Sequence, residues 1–349
     1  MTPSYEVVPG HSVGSFKLGD TLWHTLDYLR AQKTTFPKIE ISYDADNAST
    51  TSITLRLSPI ILFFPHPSQT LDRIIITLPS VELSYETRLL ASSQDHLTRA
   101  KVGRILGPTY APTGGKVSYP GITFDIPMSN GRDDLVNALS VVPKEKDNEK
   151  KEVWEVLILP GKGITFHLSD TQTDIIIGQT TSQDLLLDIG PPLREFWKED
   201  SRVSKIWIGD DALSTGYFWN YFQYGLDFLI NDEGFVEKVI CHSNIPGTAL
   251  FQRYARCPWR IQSSTSTKPL DFTFPILEFQ ESLGKPSSSQ YVSPNHGQEE
   301  EGMILDRSVE GGFEGVTNLG ISRLRGFNGV ILEEDEMSKG ISSVLIYHV

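Results

Sequence analysis

Cys257 stands in the run Arg253-Tyr-Ala-Arg-Cys-Pro-Trp-Arg260, where three arginines are of the kind that lower a thiol pKa and make a nucleophile. A nucleophilic thiol also needs a base, and none stands at a recognisable spacing, so Cys257 reads as structural. Cys241 and His242 are adjacent and chemically suited to a soft metal. Neighbours on a strand point to opposite faces, however, so the pair reads as a buried thiol beside an edge histidine. The eight histidines are otherwise scattered, with no HxH, HExxH or CxxH spacing to hold an ion. Carboxylates cluster at Asp133-Asp134, Asp210-Asp211 and Glu333-Glu334-Asp335-Glu336. Glycosidase-type chemistry needs two carboxyls facing one cleft, which adjacency does not provide, and these read as turn residues or a solvated face. There is no G-x-S-x-G elbow and no phosphate-cradling loop; the glycine pairs at 114–115 and 311–312 read as loops. No catalytic, cofactor-binding or metal residue is assigned, and the chain is not read as an enzyme.

The densest feature is 217–261, which crowds Tyr217, Phe218, Trp219, Tyr221, Phe222 and Tyr224 into its first strand and turn. Alternation would send half of them to a core and half to the opposite face. That second face is either buried by neighbouring elements or an exposed docking surface, since aromatics and arginine are enriched at interfaces. Trp219, Tyr221, Arg253, Tyr254 and Arg256 are the residues chosen as partner contacts. Arg253, Arg256, Arg260, Arg323 and Arg325 are the basic candidates for an anionic headgroup, and more simply read as arginines bridging acidic neighbours.

Elements that would position these residues recur along the chain. A short amphipathic helix ends at glycine, and strands follow. The first copy opens at Leu18-Gly-Asp-Thr21 with a helix to about Gln32, then strands over 39–43, 53–57, 60–64 and 71–78. The second has a helix over Thr98–Leu106 before Gly107, a strand pair over 119–126, and a closing strand at Val153–Leu159. The third has Thr180 to Ser182 as N-cap candidates, Gly190-Pro191 as the stop, and strands at 217–224, 226–230 and 236–242. The fourth has a helix over Pro275–Leu283 and strands at 303–307, 326–333 and 341–347. The expected fold is α+β, about four helix-plus-antiparallel-β-meander units packed helix on sheet. The units fall near 12–90, 96–160, 175–261 and 271–349. Residues 128–152 read as a charged insertion, 262–270 as a polar linker and 285–302 as a flexible loop.

Composition bounds the function. The chain has 349 residues, 39% of them hydrophobic, and 31 basic against 44 acidic residues for a net charge of −13. That balance argues against nucleic-acid binding, which needs a basic face. Two cysteines without CxxC spacing fit a reducing compartment, and no apolar run approaches the roughly 20 residues of a spanning helix. The N-terminus lacks the features of a secretory signal. A cytoplasmic protein is expected.

Asn220-Tyr-Phe-x-x-Gly-Leu-Asp-x-Leu229, Val236-x-Lys-x-Ile240, His242-Ser-Asn-x-Pro-Gly247 and Tyr254-x-x-Arg-Cys257 resemble the phagosome assembly factor 1 family. Leu18–Thr21, Gly326–Glu333 and Ser343–Tyr347 fit the same layout. The resemblance implies a non-enzymatic autophagy scaffold without cofactors, partnered by a WD-repeat β-propeller protein of the breast carcinoma amplified sequence 3 type. It also implies recruitment to preautophagosomal structures, with phosphoinositide binding left largely to the propeller. The rival expectation is a lipid- or small-ligand-binding module whose meanders form a pocket and which binds phosphoinositide membranes directly.

Overall fold

Threonine decides where three of the helices begin. Thr21, Thr98 and Thr181 stand in extended backbone, and each side-chain oxygen accepts from the N–H three residues on, opening α1 (Leu22–Ala31), α2 (Arg99–Leu106) and α3 (Ser182–Asp188). Asp184 completes a capping box on Thr181. A fourth helix, α4 (Ile276–Leu283), starts after Pro275 without a side-chain cap. Gly107 and Gly284 end α2 and α4 at a φ of +91°, a conformation that costs glycine nothing.

The computed structural model describes residues 4–78, 81–109, 113–127, 133–144, 154–168, 171–197, 216–262, 269–284, 302–307 and 320–349. Of the expected loops, 128–132 and 145–152 of the charged insertion, 263–268 of the polar linker and 285–301 of the flexible loop lie outside them, as do Asp210-Asp211 and the glycine pair at 311–312. The chain forms two units, one of Met1–Asp44 with Thr51–Glu152, the other of Ala45–Thr50 with Val153–Val349.

The first unit contains β1 (Ser4–Val8), β2 (Ser12–Val13), β3 (Phe16–Lys17), β4 (Glu40–Ser42), β5 (Ile53–Arg56), β6 (Ile60–Phe64), β7 (Arg73–Thr77), β8 (Glu82–Tyr85), β9 (Arg88–Ala91), β10 (Lys116–Tyr119), β11 (Ile122–Asp125) and β12 (Ala138–Val141). They form two sheets, ordered β3-β2-β1-β8-β9 and β10-β11-β12-β7-β6-β5-β4. β1 and β8 run parallel, and the second sheet is antiparallel throughout. Alternation is clean on β6, where Ile60, Leu62 and Phe64 are buried and the residues between them half-buried.

The second unit contains β13 (Trp154–Leu159), β14 (Gly163–Leu168), β15 (Thr171–Ile176), β16 (Arg194–Trp197), β17 (Tyr217–Tyr221), β18 (Leu226–Ile230), β19 (Val236–His242), β20 (Trp259–Ile261), β21 (Leu270–Asp271), β22 (Met303–Asp306), β23 (Ile321–Phe327), β24 (Val330–Asp335) and β25 (Ile341–Tyr347). Its sheets are ordered β15-β14-β13-β20-β21 and β16-β17-β18-β19-β25-β24-β23-β22. Here too one parallel pair, β13 with β20, sits in the smaller sheet. The topology of the first unit is thus repeated, with β22 added at one edge. Leu185 of α3 and both Ile276 and Phe279 of α4 join the sheet residues in one core.

An α+β fold is what the chain has, but the four expected meanders are not four separate layers. β12 zips onto β7 and β25 onto β19, so each larger sheet is two meanders fused. Two further expectations are corrected. Ala138–Val141, placed in the charged insertion, is an interior strand with Leu139 and Val141 fully buried. Trp154–Leu159, expected to close the second meander, instead opens the second unit beside β14 and β20. Four residues flanked by polar stretches carry too little periodicity to announce a strand; the sheet neighbours supply the rest.

Candidate functional site

The residues singled out between 217 and 257 meet inside the second unit. On β17 and β18, Asn220 faces Asp227 in register, and its amide donates to Asp227 Oδ1 at 2.7 Å. The other carboxylate oxygen, Oδ2, takes two contacts: His242 Nε2 from β19 at 2.9 Å and the Tyr254 hydroxyl at 2.8 Å. Because a carboxylate only accepts, that contact places a proton on His242 Nε2. The rings of His242 and Tyr254 stack with centroids 3.7 Å apart. Burial, then the charge of Asp227, then the hydrogen bond to it raise the Tyr254 phenol far above its ordinary range, so it stays a donor.

A second knot lies beside the first. Arg256 donates from Nε to the Ser243 carbonyl at 2.8 Å and places its guanidinium 4.6 Å from the Phe272 ring centroid. Burial pushes its pKa down to about 9, against the pull of Asp271, which leaves it a cation at neutral pH. Trp259 Nε1 donates to Ser243 Oγ at 3.0 Å, and Asn244 Oδ1 accepts from the Gln252 N–H at 2.9 Å. Backbone bonds from Cys257 to His242 and from Ala255 to Phe222 lay the returning loop against the sheet. Gly225 is required at this seam: a Cβ there would strike the Ala255 carbonyl oxygen. Burial, then Cys241, raises the Cys257 thiol well above its ordinary value, so the arginines do not activate it.

Chemically this is a fastening. An aspartate holding a histidine, with a tyrosine on the same oxygen, has the parts of a proton relay. All three side chains are sealed from solvent, together with Asn220, and every donor named is spent within the group. His242 also lies on an interior strand, not at an edge as expected.

Of the five residues chosen as partner contacts, the structure brings Tyr254 and Arg256 into these knots. Trp219 and Tyr221 lie in the core, and only Arg253 is exposed. Tyr221 is fully buried, and its hydroxyl donates 2.8 Å to the Gly190 carbonyl just past α3. The face that carries Trp219 and Tyr221 is buried because a second sheet and two helices share its core, and on the opposite face the returning loop sets Tyr254 on Asp227 and His242. Apolar exposure falls instead at Leu187, which is 84% exposed, and at Leu193, Phe196 and Trp197 around β16. The one signal in the sequence was the run Leu185-Leu-Leu187, wider than a single helical stripe.

The acidic run is the other correction. Glu333, Glu334 and Asp335 are buried on β24. Glu333 accepts from Ser322 Oγ at 2.6 Å, Ser343 Oγ at 2.7 Å and Arg307 Nε at 3.1 Å. Glu334 pairs with Arg325 and Glu336 with Arg323, each at 2.8 Å, so these two arginines do bridge acidic neighbours. Burial alone would raise Glu333, but Arg307 and the two hydroxyls outweigh it and hold the carboxyl below its usual range. Arg307, Ser322, Glu333 and Asp335 border a cavity of about 10 Å³, room for one water molecule.

Among known proteins, the family model described as phagosome assembly factor 1 matches residues 12–159 and 139–347. A curated Arabidopsis thaliana relative, named as a PHAF1 protein, is 22% identical over 318 residues, covering 74% of this chain and 75% of its own. No solved structure matches the chain.

Proposed function

This chain belongs to the phagosome assembly factor 1 family, and from that membership we propose that it serves autophagosome assembly as a non-enzymatic scaffold. In this reading it acts in the cytoplasm in complex with a WD-repeat β-propeller protein and reaches preautophagosomal structures with it. Contact with phosphoinositide membranes is then indirect, through the propeller. The observation that carries the reading is the family match, which runs through both units. The geometry supports it in one respect. The most distinctive residues of 217–257 are committed to one another in the interior, which is what a rigid binding body requires and leaves recognition to surface positions such as Arg253.

Affinity purification of the tagged protein at native level, from fed and starved cells, tests this. Stoichiometric recovery of a WD-repeat protein, enriched or relocalised on starvation, is expected. Recovery of no stoichiometric partner, with the purified chain floating on phosphoinositide liposomes unaided, would replace the scaffold with a direct lipid binder.

A further inference from the structure

The first unit carries an open cleft of about 360 Å³, within the range of ligand sites. Its apolar surface comes from Val8 at the end of β1, Leu106 at the end of α2 and Pro120 in the β10–β11 turn. Val8 is 40% exposed: it pairs with Ser12 of β2, beyond the stretch of β1 that pairs β8, which leaves it open to the cleft. Two aromatic rings, Tyr85 and Tyr119, stand in its wall, and Glu6, Glu86 and Lys144 supply the charge.

The walls are fixed. Gly10 donates to the Gly121 carbonyl at 2.9 Å, which clamps the β10–β11 turn to the end of β1. The Lys144 stem crosses the same glycine so closely that a Cβ on Gly10 would lie 2.6 Å from Lys144 Cγ. Tyr119 is anchored by its hydroxyl to the Gly107 carbonyl at 2.8 Å, leaving the ring in the wall. At the lip, the two-residue turn between β8 and β9 is closed by the Tyr85–Arg88 pair. Its central residues, Glu86 at φ +46° and Thr87 at φ +67°, are both left-handed. Such a turn favours Asn-Gly, so a glutamate and a β-branched threonine are held there against local preference. Strained residues of this kind gather at ligand clamps, and Glu86 lines this cleft with its carboxylate accepting from the Tyr85 hydroxyl beside it.

We propose that this cleft docks an extended peptide segment of a partner protein, seating an apolar side chain on Val8 and Pro120 and a lysine or arginine against Glu6 and Glu86. Two carboxylates against one amine give the lining a net negative charge, in a chain of net charge −13. Aromatic and proline walls suit an extended apolar segment. The assignment goes beyond the scaffold reading and stands whether or not the partner is a propeller.

The test uses the intact chain and blocked, fluorescein-labelled octapeptides, each position fixed in turn as Arg, Lys, Glu, Leu or Phe, read by anisotropy. Saturable binding is expected for members with Arg or Lys near Leu or Phe, and none for their Glu counterparts. E6Q/E86Q should weaken the best basic peptide by about tenfold or more, and E6K/E86K should shift preference to the Glu series. V8E should abolish binding of either series, with thermal unfolding of all variants confirming that they fold. Absence of saturable binding by every member, or affinity indifferent to both the carboxylate changes and V8E, overturns the assignment. Neither result bears on which protein is captured from cells, so the two proposals fail separately.

Discussion

Asp227 ties three buried side chains of the second unit together. Its two oxygens serve Asn220, His242 and Tyr254, and removing them strands three buried polar groups at once. Asp227→Ala should therefore cost about 3–5 kcal/mol in urea unfolding. Trp219→Ala should lose a similar amount, about 3–5 kcal/mol, because a core indole leaves a cavity. Arg253→Ala, at an exposed position, should leave the midpoint within about 0.5 kcal/mol while weakening partner capture. At Glu333 the prediction is one of pH. Its folded pKa is depressed, so its contribution is present above the unfolded value and is lost as pH falls through the folded one. Asp335, two residues on, is raised, mainly by burial, so its contribution is present at low pH and lost as pH rises through its folded pKa. The two oppose each other across the carboxylate range. Glu333→Gln should lower stability at pH 7 and flatten the acid limb of a stability–pH curve below about pH 4.5; an unchanged limb would show that Glu333 is not the group responsible.

Among the elements, the helices were the most legible in the sequence. A threonine at the starts of α1, α2 and α3 and a glycine after the ends of α2, α3 and α4 are local chemistry, legible without knowledge of the tertiary context. Turns show the reverse, because glycine is demanded by neighbours the sequence does not name. Gly329 presses on Gly161, and a Cβ would run into the Gly161 backbone, whereas Gly190, also at positive φ, has open space around it. Gly329→Ala should thus cost well over about 3 kcal/mol and Gly190→Ala about 1, measured side by side by urea unfolding. Thr87→Gly, at the strained β8–β9 turn, should do the opposite and raise the melting temperature by a few degrees, worth about 1 kcal/mol. The strand Ala138–Val141 was invisible beside its charged neighbours: it is short, and what makes it a strand is the pairing with β7 and β11 on either side.

At the scale of the whole molecule, each unit owns its two sheets and its helices, so the fragment 1–152 should unfold cooperatively by itself with a β-rich circular dichroism spectrum. A non-cooperative melt would show that the first unit needs the rest of the chain. Near neighbours and totals are enough to reveal an apolar content sufficient for a core, a net negative charge, helix caps, a mixed α and β composition, and the motif that carries the family. Which side chains lie inside is legible only once the sheets are assembled. Trp219, Tyr221, Tyr254 and Arg256 have the chemistry of an interface, and Glu333 to Asp335 that of a solvated face, yet all of them are buried. The reason is long-range. Burial depends on the second sheet, on the loop 243–258 folding back, on Arg307 reaching Glu333 across 26 residues, and on the β23–β24 pairing that sets Arg325 against Glu334.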